Sequence, residues 1–174
     1  MKKNKKSEKK SLIKKLDEIV REIVLLRDGG CVCPPPANGH SVVFQSGHLF
    51  SRTKMTMRWS LYNCNCQCSS CNFLHEHNPH RYTRWFLQKH GQAVYDILVE
   101  QAETTYNYKV YELQEMYEQL QLILKTLRLN PYWKPYFHQA DIMSGAWMNA
   151  LANEMKLPEG VKLSRNSREQ EKAI

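Results

Sequence analysis

The sequence predicts an α+β, mainly helical fold in which a small strand-and-helix module is stapled by a metal ion instead of by a large core. Three observations predict it. The stretch NCNCQCSSCN, Asn63 to Asn72, gathers four of the six cysteines within ten positions. Long segments on both sides carry apolar residues at helical spacing. Between the first of these and the cysteines lies a β-prone run behind an Asn-Gly turn signal.

The 174-residue length suits one domain with tails. No apolar signal segment follows the first methionine, and no stretch is long and apolar enough to cross a bilayer, so a cytoplasmic, reducing setting is expected, with no membrane partner. In that setting clustered cysteines are metal ligands more often than disulfides. The net charge of +8 favours a polyanionic partner, because neutralised phosphates release condensed counterions. A lysine tail that only keeps the chain soluble would give the same excess.

The chain divides in order. Residues 1–10, MKKNKKSEKK, read as a basic disordered tail. Ser11 reads as an N-cap, Leu12, Leu16, Ile19, Ile23 and Leu26 repeat at helical spacing, and Gly29-Gly30 ends the run. Cys31 to Ser46 holds a cysteine pair, three prolines, Asn38-Gly39 and then Val42, Val43 and Phe44, which together suggest a short hairpin. Gly47 to Cys66 fits neither period and reads as a long loop, the kind that is more often functional than idle.

Helices follow. Asn78-Pro79 opens one that carries Tyr82, Trp85 and Phe86 on one face and closes at Gly91. A second spans Gln92 to Glu103. A third spans Tyr111 to Leu129, with a core-type stripe of Leu113, Met116, Tyr117, Leu120, Leu124 and Leu127 before Asn130-Pro131. Residues 130–163, with Ile142, Met143, Trp147, Leu151 and Met155, read as a C-terminal helical segment, and 164–174 as a disordered tail.

Cys68 and Cys71 form a Cys-x-x-Cys pair, a spacing that lets two thiolates converge on one tetrahedral zinc ion. Cys31 with Cys33 is the cysteine pair upstream, so Cys31, Cys33, Cys68 and Cys71 are the expected structural zinc ligands. Cys64 and Cys66 compete with them. Alternation along an extended segment would turn those two to one face, which suits ligation or plain burial.

His48 follows Gly47 ahead of the loop, and imidazole can take a proton from water near neutral pH. Asn63 ends the loop, and Asn72 and His75, three apart, share one face of a helix starting near the zinc pair. Together with His77 they offer a base, an amide to orient it and ligands for a second, hard cation. This is the order of parts in an HNH nuclease.

The run GHLFSRTKMTMRWSLYNCNCQCSSCN, continued by HEHNPHRYTRWFLQKHGQAVYDIL, resembles the NinG (Rap) recombination proteins of lambda-type phages and their HNH relatives over roughly Leu12 to Leu129. The resemblance implies a zinc-stapled ββα-metal (HNH, treble-clef-like) module with flanking helices over 11–129, acting as a DNA endonuclease on branched DNA in recombination, in the cytoplasm of the host cell. It places the family's histidine on His48, its loop asparagine on Asn63, its zinc pair on Cys68 and Cys71, and the following asparagine on Asn72. Three positions depart from the family pattern: Gln45 stands where an acidic residue is common, Asn65 where a second histidine is, and the first cysteine pair is one residue shorter. An amide binds a hard cation less well than a carboxylate, and imidazoles at His75 and His77 would shift the preference from Mg²⁺ towards Mn²⁺, Ni²⁺ or Zn²⁺.

The expected chemistry is phosphodiester hydrolysis. His48 is the general base, Asn63 its orienting amide, and Asn72, His75 and His77 hold Mg²⁺ or Mn²⁺. Arg52 and Arg58 contact phosphate, and Trp59 either packs beneath the loop or stacks on an unpaired base. The alternatives are a non-catalytic zinc-stabilised DNA adaptor and a docking component that uses its long helices. The oligomeric state stays open, a homodimer included.

Overall fold

In the computed structural model, residues 5–37 and 39–129 are described. The element order is α1 (Lys5–Asp28), β1 (Phe44–His48), β2 (Cys64–Cys68), α2 (Ser69–His77), α3 (His80–His90), α4 (Gln92–Glu103) and α5 (Val110–Leu129). The expected helical segments 130–163 and the tail 164–174 lie outside the described residues. Among those described, no helix is long and apolar enough to cross a membrane.

α1 buries Leu12, Leu16, Ile19, Val20, Ile23 and Val24 against Leu113, Leu120, Ile123, Leu124 and Leu127 of α5. Lys9 near the start of α1 meets Asn107 and the Tyr108 carbonyl just before α5, while Arg128 near the end of α5 meets Glu22. The two helices therefore run parallel. Gly29 stops α1 with φ +68°, donating its N–H to the Leu25 carbonyl at 3.1 Å. Residues 5–10, expected as tail, are helical, and Ser11 lies inside α1 instead of capping it. Lysine is a good helix former, and the apolar face behind it is long enough to carry the helix back.

The sheet corrects the expected hairpin. Val42 and Val43 do not fold back within residues 31–46; β1 instead pairs antiparallel with β2, in the register Phe44↔Cys68 to His48↔Cys64. The strand β2 occupies the end of what reads as loop. Its sequence CNCQC carries neither β-branched nor aromatic residues, so propensity could not reveal it. Period two could, and it holds here: Cys64 and Cys66 face the α1/α5 core, while Cys68 joins the second cluster.

Every residue of β2 is buried. Burying Asn63, Asn65 and Gln67 calls for hydrogen bonds, and each amide nitrogen makes one, while the buried Gln67 Oε1 finds no partner among the described residues. Asn63 grips the loop; Asn65 donates to the Tyr62 carbonyl and to Tyr82 Oη of α3, both at 2.8 Å; Gln67 Nε2 donates to Cys33 Sγ at 2.9 Å. Gly47 makes room for that last contact. A Cβ at Gly47 would sit 1.7 Å from Gln67 Oε1, so only glycine lets the amide cross strand β1.

The second cluster packs Tyr82 and Phe86 of α3 with Leu98 and Ala102 of α4, around Met57, Leu49 and Tyr62. Asn78 Oδ1 accepts from the His80 N–H, and Gly91, at φ +82°, separates α3 from α4.

Arg27 and Asp28 join the halves. Their side chains form a bidentate ion pair, 1% and 2% exposed. Arg27 also donates to the carbonyls of Leu61 (2.6 Å) and Cys64 (2.9 Å) and to Asn65 Oδ1 (3.0 Å), and Asp28 Oδ2 accepts the Cys66 N–H at 2.7 Å. Removing one member of a buried pair strands the other charge. Arg27→Ala is expected to destabilise the protein by about 3–5 kcal/mol, whereas a surface substitution such as Lys14→Ala should change stability by less than about 0.5 kcal/mol. Urea unfolding of the two variants checks this, and equal midpoints would remove the pair from its central place.

Candidate metal centre and active site

The loop 31–43 is shaped to return on itself. The Val32 N–H donates to the Cys66 carbonyl at 2.8 Å, Arg81 of α3 holds the Pro34 and Pro35 carbonyls, and Gly39 adopts φ +75° in a turn closed onto the Pro36 carbonyl. That turn delivers His40 to the cysteines. Cys68 is the N-cap of α2, and Cys71 sits in its first turn, so the Cys-x-x-Cys spacing places both sulfurs on one side.

The sulfurs of Cys31, Cys68 and Cys71 and a ring nitrogen of His40 all lie within 4.8 Å of one another. His40 Nδ1 is 3.5 Å from Cys68 Sγ and 3.6 Å from Cys71 Sγ. For zinc–sulfur bonds of about 2.3 Å and zinc–nitrogen bonds of about 2.05 Å, a tetrahedron has a nitrogen–sulfur edge of about 3.5 Å. The four side chains thus fit a Cys₃His structural zinc ion.

Electrostatics favours the thiolate at two of the three cysteines. A hydrogen bond from the Cys33 thiol brings Cys31 down to about 4. Burial opposes ionisation of Cys68, yet the Ser70 hydroxyl, the Cys71 N–H and His40 lower it to about 6. Burial and the bond to Cys68 push Cys71 up to about 12, a thiol that a bound dication would deprotonate. Burial and the neighbouring Asp28 put Cys66 at about 12 as well.

The ligand set differs from the expected one. Cys33 lies outside the cluster, beside Cys31 and under the Gln67 amide, and its thiol is pushed up by Cys31 and by burial. His40 stands in its place. The signal was a histidine directly after the Asn38-Gly39 turn, nine positions beyond Cys31, beside a Cys-x-Cys pair tighter than the usual zinc spacing.

His48, at the end of β1, lies beneath the loop 49–63. Its Nε2 donates to the Arg58 carbonyl at 3.0 Å, which leaves Nδ1 as the unprotonated nitrogen. Burial lowers its pKa, with Arg52 and Arg58 adding to the effect, so the ring is held neutral. Asn63, fully buried, organises the loop: Oδ1 accepts the Phe50 N–H at 2.7 Å, and Nδ2 donates to the carbonyls of Phe50 (3.0 Å) and Met57 (2.9 Å). Its hydrogen bonds go to the loop and not to the imidazole of His48, so it acts on that ring through the loop that supplies the Arg58 carbonyl.

Asn72 and His75 share the face of α2 that covers β1. Asn72 Nδ2 donates to Gln45 Oε1 at 2.9 Å. His75 Nε2 approaches the Leu49 carbonyl at 3.4 Å, its ring stands edge-on to Tyr82, and its buried Nδ1 has no hydrogen-bond partner among the described residues. Burial lowers this pKa too. His77 is two positions on, exposed, and its ring meets Phe73 at 4.7 Å, on another side of α2 from His75. Among the described residues, the zinc cluster is the group of three or more His, Cys, Asp and Glu side chains arranged to hold a metal.

The loop cations are partly engaged. Arg58 is bidentate to Asp17 of α1, at 2.8 and 2.7 Å, and Arg52 reaches the same carboxylate at 3.4 Å while staying 62% exposed. Trp59 is 4% exposed, packed in the α1/α5 core with its Nε1–H on Asp17 at 2.9 Å. It packs beneath the loop, so the expectation that it stacks on a base falls: no face of the ring is open.

The description of the bacteriophage lambda NinG protein family matches residues 1–130. The chain belongs to the NinG family. This match covers every described element and ends where α5 does, so α1 and α5 are part of what the NinG family shares. No curated protein and no solved structure matches the chain.

The centre predicts its own chemistry. The purified NinG-family protein should carry one zinc ion per chain, and Cys33→Ser should keep it. His40→Ala should weaken zinc affinity by tenfold or more, and Cys68→Ser should abolish binding, both read by chelator competition and metal analysis. Loss of zinc from Cys33→Ser with retention in His40→Ala would restore the four-cysteine set.

Proposed function

We propose that the protein is a metal-dependent, HNH-type DNA endonuclease of phage recombination, acting on branched or otherwise structured DNA in the host cytoplasm. Hairpin β1–β2 running directly into α2 is the element order of a ββα-metal module, and family membership supports the phage setting. The observation that carries the reading is the state of His48. Its Nε2–H is given to the Arg58 carbonyl and its ring is kept neutral by burial, which leaves Nδ1 free to accept a proton.

In the mechanism, His48 Nδ1 takes a proton from water, and the resulting hydroxide attacks phosphorus in line with the departing 3′ oxygen. Asn63 keeps the loop, and with it the Arg58 carbonyl, in register with the imidazole. Arg52, largely exposed, contacts phosphate. A divalent ion, Mg²⁺ or Mn²⁺, would stabilise charge on the phosphorane and the leaving oxygen. Asn72 and His75, which share the face of α2 that covers β1, would hold such an ion. A zinc ion at Cys31, His40, Cys68 and Cys71 would hold the loop 31–43 and α2 together and would take no part in the chemistry.

One observation favours a second reading, a non-catalytic zinc-stabilised DNA adaptor. Gln45, at the position where the family often has an acid, spends its amide oxygen on Asn72. The two readings part at a single assay. Nicking of four-way or forked DNA with Mn²⁺ or Mg²⁺ is expected from the wild type, and His48→Ala should abolish it without changing zinc content or DNA affinity. Asn63→Ala should slow it less, and His75→Ala should raise the Mn²⁺ concentration required. Equal cleavage by wild type and His48→Ala would misplace the active site; no cleavage from the wild type with any metal leaves the adaptor.

Both readings need DNA. Affinity measured on DNA of unrelated sequences should fall steeply and similarly as salt rises from about 50 to 200 mM, by a factor set by the number of phosphates contacted. A salt-insensitive constant would count against nucleic acid as the partner.

A further inference from the structure

Asp17 lies on α1, away from the hairpin in sequence and outside every motif in the region of the cysteines. Its carboxylate nevertheless receives four donors from the loop. Oδ1 accepts Arg58 Nε at 2.8 Å and Trp59 Nε1 at 2.9 Å; Oδ2 accepts Arg58 Nη2 at 2.7 Å and Arg52 Nη2 at 3.4 Å. Arg58 and Trp59 are consecutive. One carboxylate therefore grips the side chains on both sides of a single peptide group, the one whose carbonyl is that of Arg58.

That carbonyl is the acceptor for His48 Nε2 at 3.0 Å, and it also receives the Cys64 thiol at 3.3 Å from the strand opposite. An imidazole carries its proton on whichever nitrogen finds the better acceptor, so the orientation of this peptide decides which nitrogen remains a base. With Trp59 seated in the core and Arg58 held in two-point contact, the peptide has no freedom to turn its oxygen away. Burial opposes ionisation of Asp17, but the bonds from Arg58 and Trp59 and the charges of both arginines hold its pKa below the usual carboxylate value, so the grip is ionised at neutral pH.

We propose that Asp17 is a positioning residue for His48: by fixing the 58–59 peptide from both sides, it holds the proton on Nε2 and keeps Nδ1 available as the base. The catalytic part of this statement rests on the nuclease reading; the tautomer part does not. Asp17 touches neither substrate nor the reacting atoms. A carboxylate is needed because the acceptor must take donors from two side chains at once. An amide of the same shape offers one oxygen and turns a donor towards the guanidinium.

The test uses the full-length, zinc-loaded protein with its histidines labelled in ¹⁵N. Imidazole nitrogen shifts report which nitrogen of His48 carries the proton, independently of any activity. Wild type should show the Nε2–H form. Asp17→Asn should shift the population towards Nδ1–H while zinc content stays at one per chain, and Trp59→Phe, which removes one of the four donors and keeps the ring in the core, should shift it in the same direction by less. If the wild type nicks DNA, Asp17→Asn should lower kcat by about 10- to 100-fold with KM for DNA little changed, the range for removing an outer partner of a functional histidine. An unchanged Nε2–H population in folded Asp17→Asn would overturn the proposal; if that variant does not fold, an unchanged population in Trp59→Phe does so. A wild type that holds the Nε2–H form, loses it in Asp17→Asn, yet never cleaves would keep the positioning and remove the nuclease.

Discussion

The Arg27–Asp28 pair is the constraint on which the rest depends. Two charges, almost wholly out of water, are tolerable because they pair with each other and make further hydrogen bonds with the strand and loop beside them. The guanidinium reads Leu61, Cys64 and Asn65, and the carboxylate reads Cys66, so the end of α1 fixes the height and register of β2. Shift β2 by one residue and its amides would face the aliphatic core while its thiols met the polar side. The pair thus sets which face of the strand sees Tyr82 and Cys33 and which sees α5.

Sulfur and amide alternate in β2 for this reason. The thiols of Cys64 and Cys66 are small apolar groups against α1 and α5. The amides are buried polar groups, each serving a different neighbour: Asn63 the loop, Asn65 helix α3, Gln67 the turn that carries Cys33. A strand built this way is a distribution point more than a packing element. It explains how a module with a two-stranded sheet can hold a loop over His48 and a metal loop beside it at once.

Much of the helical frame was legible because its period is carried by large apolar residues: α4 and α5 emerge nearly to the residue, and Asn78 and Gly91 bracket α3 as turn chemistry dictates. The Cys68–Cys71 half of the metal centre was legible from local spacing. What escaped depends on contacts distant in sequence. His40 becomes a metal neighbour only because Arg81 and the Gly39 turn bring it back. Asp17 sits on the polar side of an ordinary amphipathic helix, with nothing in its neighbours to mark it. The helical state of residues 5–10 likewise reflects a long apolar face further along α1, against a run of like charge that argues for a tail. Trp59 had two readings that sequence weighs only coarsely, and burial decides between them.

The parallel pairing of α1 with α5 also dictates an order of events during folding. α1 finds its main partner some hundred residues later in the chain, across every other described element, and such a contact must bear a large loop-closure entropy before it returns any burial. The metal loop, hairpin and α2 span residues 31–77 and close through far shorter separations. As the chain leaves the ribosome, those residues are complete while the apolar face of α1 still lacks its cover, so the cysteine centre can organise first and the helix pair seals it afterwards. Pulse-labelled hydrogen exchange would read this as early protection in β2 and α2 and late protection in α1.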